Sequence, residues 1–234
     1  MNIDLLISEH VEPKIGNPES VIKLFDIPDD LLTKVKNELT IKYDLESEEF
    51  KTNEFVFYDT RRIVMYSTLF KTSKQLYTNK DFDYELDKII RPLLEYVTSV
   101  IGKNYIPTLT QLATLLPNQK LKWHVDTFLY QQFSNKIHIP LFTNEESYYE
   151  TFNGETLEKT HLNFGAAWNI NNLDLHRSTN LGETFRTHLI IDFIKEDKLK
   201  ILEGTGLNYF HHRLDFMSEK EKNQLINLKK LFEK

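Results

Sequence analysis

Two periods divide the chain. Between residues 80 and 101, apolar side chains return every three or four positions, at Phe82, Leu86, Ile89, Ile90, Leu93, Leu94, Val97 and Ile101. That spacing predicts a helix with one buried face, a packing helix under a sheet. Pro92 lies inside the stripe and is expected to kink it, because proline lacks the backbone donor. Residues 27–39 show the same spacing at Leu31, Leu32, Val35 and Leu39, behind Pro28 and two aspartates that suit a helix start. Residues 55–70 hold two β-prone runs around a polar Asp-Thr-Arg-Arg break and read as a hairpin.

From residue 105 the period shortens. Strands are expected at 105–117, 121–128, 136–143, 148–152, 157–164, 165–172 and 184–194. Asn153-Gly154 is a strong hairpin signal between two of them. About seven short strands with turns every 8–12 residues make the pattern of a β-sandwich or jelly roll. Near the end, Ser218 and Glu221 form a capping box ahead of Leu225, Leu228 and Leu231, which predicts a short terminal helix.

Composition adds limits to this picture. A chain of 234 residues with 40% apolar and 12% aromatic residues can bury a substantial core in one domain. Sixteen Phe and eleven Tyr favour sheet packing. The organisation expected is a mixed α/β support region over 1–104, a β core over 105–196 and a C-terminal extension with a helix over 197–234. A net charge of −6, spread along the chain, argues against nucleic acid as a partner. The N-terminus shows no basic region ahead of an apolar run, and no apolar run reaches about 18 residues, so a cytoplasmic protein without a membrane partner is expected. With no cysteine, any transition metal must be held by His and carboxylates.

Candidate chemistry starts at His124-Val125-Asp126. Two positions apart on a strand, both side chains leave the same face and can reach one ion. Alone this is weak, since a His on a strand is more often a satisfied core or surface residue. His176 lies 50 residues after Asp126, and Arg186 follows it by ten. Two His and a carboxylate make the facial set of non-haem Fe(II) oxygenases, with open positions left on the metal. A strand-borne Arg186 suits the far carboxylate of a dicarboxylic acid.

The runs "WHVD", "KIHIPLFTN" and "GAAWNINNLDLHRSTNLGETFRTHLIID" resemble the aspartyl/asparaginyl β-hydroxylase family of Fe(II)- and 2-oxoglutarate-dependent oxygenases, which includes bacterial proline hydroxylases. The resemblance covers roughly residues 110–195. It implies a mainly β fold with flanking helices, a double-stranded β-helix or cupin-like jelly roll with the metal inside. It implies His124, Asp126 and His176 as iron ligands and catalytic residues, with Fe(II), 2-oxoglutarate and O2 as cofactor and co-substrates. Arg186 would bind the distal carboxylate of 2-oxoglutarate, His138 would help to hold it, and Lys136 stands where the family commonly has Arg. Residues 165–168 lack the acidic residue often found after that glycine. The activity implied is hydroxylation of an aspartyl, asparaginyl or prolyl side chain, in a free amino acid, a peptide or a protein. The alternative is a cupin-like small-acid-binding or scaffold protein whose metal site is not catalytic.

Other residues have plainer readings. Trp123 points away from His124 and is expected to pack, as is Trp168. His188 shares a strand face with Arg186 and suits either the site or the core. Asn171 and Asn172 suit a turn cap. Tyr130, Gln131 and Gln132 are expected on a solvated loop, His161 in a structural role, and His211-His212 on the surface.

Overall fold

The computed structural model describes residues 21–51, 60–67, 83–126, 129–152 and 156–204, with single helical positions at 223, 226, 227 and 230. The first run of the 55–70 hairpin, the Asn153-Gly154 turn, the capping box at 218–221 and His211-His212 lie outside the described residues.

Among the described residues, ten strands form two antiparallel sheets. The larger has the order β1 (Val21–Asp26), β8 (Ala166–Ile170), β5 (Ser134–Phe142), β10 (Arg186–Lys195), β3 (Tyr105–Leu115), β2 (Arg61–Ser67). The smaller has the order β4 (Gln119–Lys120), β9 (Leu175–Asn180), β6 (Ser147–Phe152), β7 (Leu157–Thr160). This is the jelly roll expected, with two strands from before residue 105 added to the larger sheet.

Two helices cover the outer face of the larger sheet, α1 (Asp29–Lys42) and α2 (Tyr84–Ile101). The apolar stripe of α2 is buried at Leu86, Ile89, Ile90, Leu93, Leu94 and Val97. It packs in one core with Leu32, Val35 and Leu39 of α1 and with Ile137, Ile139, Leu189, Ile191 and Phe193 of the sheet. Each such side chain contributes about 1.5–3 kcal/mol by leaving water. The Asp83 carboxylate starts α2 by accepting from the backbone N–H groups of Glu85 and Leu86, at 3.0 Å each. Gly102 ends it with φ 128°, a conformation that favours glycine. α2 continues through Pro92. A third helix, α3 (Glu196–Gly204), follows β10 directly and was not evident in the sequence.

Strands β5 and β10 are buried almost throughout because both of their faces are covered. On β10, Leu189, Ile191 and Phe193 face the helices. Alternation sends Arg186, His188, Ile190 and Asp192 the other way, into the space between the sheets. On β5 the same alternation sends Lys136 and His138 inward, opposite Asp192 and Ile190. Two prolines sit inside strands where the ladder is already broken: Pro107 next to the Asp192/Phe193 register shift, and Pro140 next to the Thr187/His188 shift. A residue with no N–H to donate is tolerated at such bulges.

Candidate metal centre

The segment after β4 is not the continuous strand that alternation suggested. Gln119 and Lys120 pair with Asn180 and Thr179 of β9, and the next regular contact is a bridge between His124 and His176. Straight continuation would have set His124 opposite Leu175, so the segment carries one extra residue, a bulge. At the bridge the two histidines exchange both backbone hydrogen bonds, His124 N–H to the His176 carbonyl at 3.0 Å and the reverse at 2.8 Å. Their rings therefore leave the same face, with centroids 4.3 Å apart. The Asp126 N–H bonds to the Asn172 carbonyl at 3.0 Å, which returns the carboxylate to the same spot. One ligand atom from each of His124, Asp126 and His176 lies within 4.8 Å of the others.

Both imidazoles are oriented by their own backbone. His124 Nδ1 bonds the Lys122 carbonyl and His176 Nδ1 the Asp174 carbonyl, each at 2.8 Å. A carbonyl only accepts, so each Nδ1 carries a proton and Nε2 is the ring nitrogen left to face a metal. Burial, then the neighbouring His124, pushes His176 down to about 3, which keeps its ring neutral at neutral pH. Burial would raise Asp126, but Lys136, His176 and His124 outweigh it and hold the carboxyl well below the usual range. Asn172 donates to Asp126 Oδ2 at 2.9 Å. Two imidazoles and one carboxylate, with no thiolate, form a donor set for a divalent first-row ion.

The wall opposite is polar and charged. Lys136 Nζ lies 3.3 Å from Asp126 and 2.9 Å from Asp192, with its side chain 9% exposed and that of Asp192 fully buried. Tyr130 donates to Asp192 Oδ2 at 3.1 Å. Arg186, at the head of β10, donates from Nη2 to His188 Nδ1 at 2.9 Å and reaches Ser178 of the smaller sheet at 3.4 Å. No carboxylate pairs with Arg186 among the described residues. Burial lowers its guanidinium to about 9. His138 contacts His188 at 3.4 Å between Nδ1 atoms, and burial, then Arg186, holds both rings well below the usual imidazole range. Tyr149 of β6 stacks on His176 at 5.4 Å and meets His138 edge-on at 5.8 Å.

Arg186 Nε, His138 Nε2, His188 Nε2 and the Tyr149 hydroxyl oxygen are buried in this wall without a hydrogen-bond partner among the described residues. Such atoms cost free energy unless something pairs with them. A small polar anion is the complement of a buried guanidinium that lacks a carboxylate and is flanked by three further polar atoms.

All six residues singled out from the sequence, His124, Asp126, Lys136, His138, His176 and Arg186, thus line the space between the sheets. Trp123 and Trp168 pack as expected, with Trp123 2% exposed. His161 bonds the Ser147 carbonyl at 2.9 Å, a structural contact. The expectation for Tyr130, Gln131 and Gln132 fails: they form a short 3-10 turn and are buried, because Tyr130 turns inward to Asp192. Asn172 is a fully buried partner of Asp126 as well as a turn residue. Tyr149, Ser178 and Asp192 were missed. Asp192 carried a signal, a lone carboxylate in an apolar strand run; Tyr149 carried none among so many aromatics.

No family model matches this sequence. No curated protein matches it either. Solved structures do share the fold. A prolyl hydroxylase from Trichoplax adhaerens, in complex with a hypoxia inducible factor oxygen degradation domain peptide fragment, superposes with a TM-score of 0.54 at 10% identity, over 86% of this chain and 96% of that one. A Pseudomonas putida prolyl-4-hydroxylase gives 0.50 at 10% identity, over 76% and 93%. An oxidoreductase of the 2OG-Fe(II) oxygenase family from Burkholderia pseudomallei gives 0.42 at 13% identity; this chain aligns over 58% of its length and spans 65% of that protein. The first two carry the fold assignment. Within the described residues, no helix is long and apolar enough to cross a membrane.

Proposed function

We propose that this chain is an Fe(II)- and 2-oxoglutarate-dependent dioxygenase that hydroxylates an amino-acid side chain, free or within a peptide or protein. The observation that carries the reading is the convergence of His124, Asp126 and His176 ligand atoms within 4.8 Å of one another, in the same inter-sheet space as a buried guanidinium that no carboxylate among the described residues pairs with. In this reading Nε2 of His124, Nε2 of His176 and a carboxylate oxygen of Asp126 hold the iron. Arg186 receives the distal carboxylate of 2-oxoglutarate, and His138 sits alongside it. Lys136 adds positive charge from the Asp126 side.

When bound, iron with O2 supplies oxidation of an unactivated C–H bond, coupled to conversion of 2-oxoglutarate into succinate and CO2. The residues of the chain do the rest. The Lys122 and Asp174 carbonyls fix the ring orientations, and Asn172 and Lys136 keep Asp126 ionised and aimed. The guanidinium, desolvated and without a counter-ion, favours a dianion over water. The β-hydroxylase-like motifs favour aspartyl, asparaginyl or prolyl side chains as the position of attack.

The test is succinate formation from 2-oxoglutarate in the presence of iron, ascorbate and candidate amino acids or peptides, with mass spectrometry for a gain of one oxygen. His124→Ala and Asp126→Ala are expected to lose turnover by at least about 100-fold, beyond the usual cost of losing a supporting contact. Succinate formed at the wild-type rate by both variants overturns the site. Metal and 2-oxoglutarate binding without turnover on any substrate selects the small-acid-binding alternative.

A further inference from the structure

The segment before Asp126 could meet β9 in two registers. Gln119 and Lys120 sit in one of them, and the His124–His176 bridge belongs to the other. The difference decides which side chains point inward. Without the extra residue, Trp123 would lie opposite His176 and face the interior, and His124 would lie opposite Leu175 and face out. One pair of backbone bonds sets the bulged register, that between His124 and His176, while Leu121 N–H to the Ser178 carbonyl at 2.9 Å still belongs to the first. Something beyond that pair must favour the bulge.

The outer face supplies a candidate. In the bulged register Trp123 falls opposite Arg177, and Arg177 is paired in turn with Glu150 of β6. These three make one row across the sheet, immediately next to the inner row of His124, His176 and Thr151. The row is filled by contacts. The Arg177 guanidinium lies over the Trp123 ring at 4.6 Å and forms an ion pair with Glu150. Glu150 is 1% exposed, and its carboxylate also takes Lys159 at 3.1 Å and the Thr179 hydroxyl at 3.4 Å. Burial would raise Glu150, but Arg177 and Lys159 hold it below the usual carboxylate range. A guanidinium sandwiched between a carboxylate and an indole is fixed in position as well as in charge.

We propose that the Trp123–Arg177–Glu150 row locks the register of the metal site: Trp123 docked on Arg177 excludes the unbulged pairing and so delivers His124 to the inner face. These are positioning residues, since none of them faces the metal. The inference rests on the reading of His124, Asp126 and His176 as metal ligands.

The experiment is Co(II) titration of the full chain, followed by its visible absorption, for wild type, Arg177→Leu, Arg177→Lys, Glu150→Gln, His124→Ala and the Arg177→Leu/His124→Ala pair. Arg177→Leu is expected to weaken Co(II) binding by about tenfold or more and to give the absorption spectrum of His124→Ala. Arg177→Lys, which keeps the cation over the indole, is expected to recover most of the affinity. In the double variant, Arg177→Leu is expected to add less than about twofold to the loss from His124→Ala, since the ligand it positions is already gone. Losses that multiply in the double variant overturn the lock, and so does Arg177→Leu binding within about twofold of wild type. Should Arg177→Leu lose its far-ultraviolet circular dichroism, Glu150→Gln carries the same comparison with a smaller perturbation, and an unchanged Co(II) affinity there overturns the proposal. A wild-type chain that takes up no Co(II) overturns the metal reading itself, an outcome distinct from a metal-binding wild type with an indifferent Arg177→Leu.

Discussion

At the scale of single residues, the interior is governed by Lys136. It is buried between two carboxylates, Asp126 at 3.3 Å and Asp192 at 2.9 Å. Burial alone would lower its pKa, yet Asp192 and Asp126 raise it, so it is a cation at neutral pH. Removing one member of a buried ionic set leaves the others uncompensated, which costs about 3–5 kcal/mol. Lys136→Met is therefore expected to lower the stability of the metal-free chain by that order in urea denaturation. A divalent ion at Asp126 supplies the missing positive charge, so Mn(II) is expected to restore more stability to Lys136→Met than it adds to wild type. Equal increments for both would separate Lys136 from the metal. The candidate ligands stood out in the sequence because His, Asp and Arg on apolar strands demand partners. The sequence did not show that Lys136 serves Asp192 as well, since a contact across 56 positions leaves no local trace.

At the scale of elements, helix α2 was plain from the sequence and β9 was not. The stripe of α2 repeats over 18 residues, and its cap is local chemistry. Asp83 accepts the first backbone donors and also the Tyr43 hydroxyl from the end of α1. Burial pushes Asp83 up, but Tyr43, the Leu86 and Glu85 amides and Lys42 outweigh it and hold it below the usual carboxylate range. A carboxyl lowered on folding stabilises above its unfolded pKa, and that contribution fades as pH falls through the folded value. Asp83→Ala is therefore expected to cost about 0.5–2 kcal/mol at pH about 7, as caps do. The gap between Asp83→Ala and wild type in denaturant midpoints is expected to narrow below pH about 4. A gap independent of pH sinks the account. By contrast β9, Leu-His-Arg-Ser-Thr-Asn, has one apolar residue in six, because its inner face holds His176, Ser178 and Asn180 and its outer face sets Arg177 and Thr179 beside Leu175. Alternation of apolar and polar side chains cannot reveal a strand whose two faces are both polar. The bulge that aligns His124 with His176 was equally hidden, since one inserted residue leaves no mark in the local pattern.

At the scale of the whole molecule, the candidate site joins the two sheets. The smaller sheet and its edge bring His124, Asp126, His176, Tyr149 and Ser178; the larger brings Lys136, His138, Arg186 and His188. At the Arg186 end the guanidinium reaches Ser178 at 3.4 Å, and Asn180 of β9 donates to the Leu115 carbonyl of β3 at 3.2 Å. A ligand held by both sheets therefore stabilises the whole fold through mass action, by about 2.7 kcal/mol at a hundredfold excess over Kd. For a chain of this length that corresponds to about 5–10 °C in Tm. Arg186 also works against stability while the pocket is empty, because a desolvated cation without a counter-ion is unfavourable. Arg186→Met keeps the apolar stem and removes that charge. Its Tm without ligands is expected to equal or exceed that of wild type. Mn(II) is expected to raise Tm in both chains, whereas 2-oxoglutarate added to the Mn(II) form is expected to raise it further in wild type alone. His124→Ala is expected to lose both increments. Calorimetric scans of the three chains separate the two halves of the candidate site: a full 2-oxoglutarate increment in Arg186→Met removes the guanidinium from the proposed anion pocket and leaves the proposed metal ligands untouched.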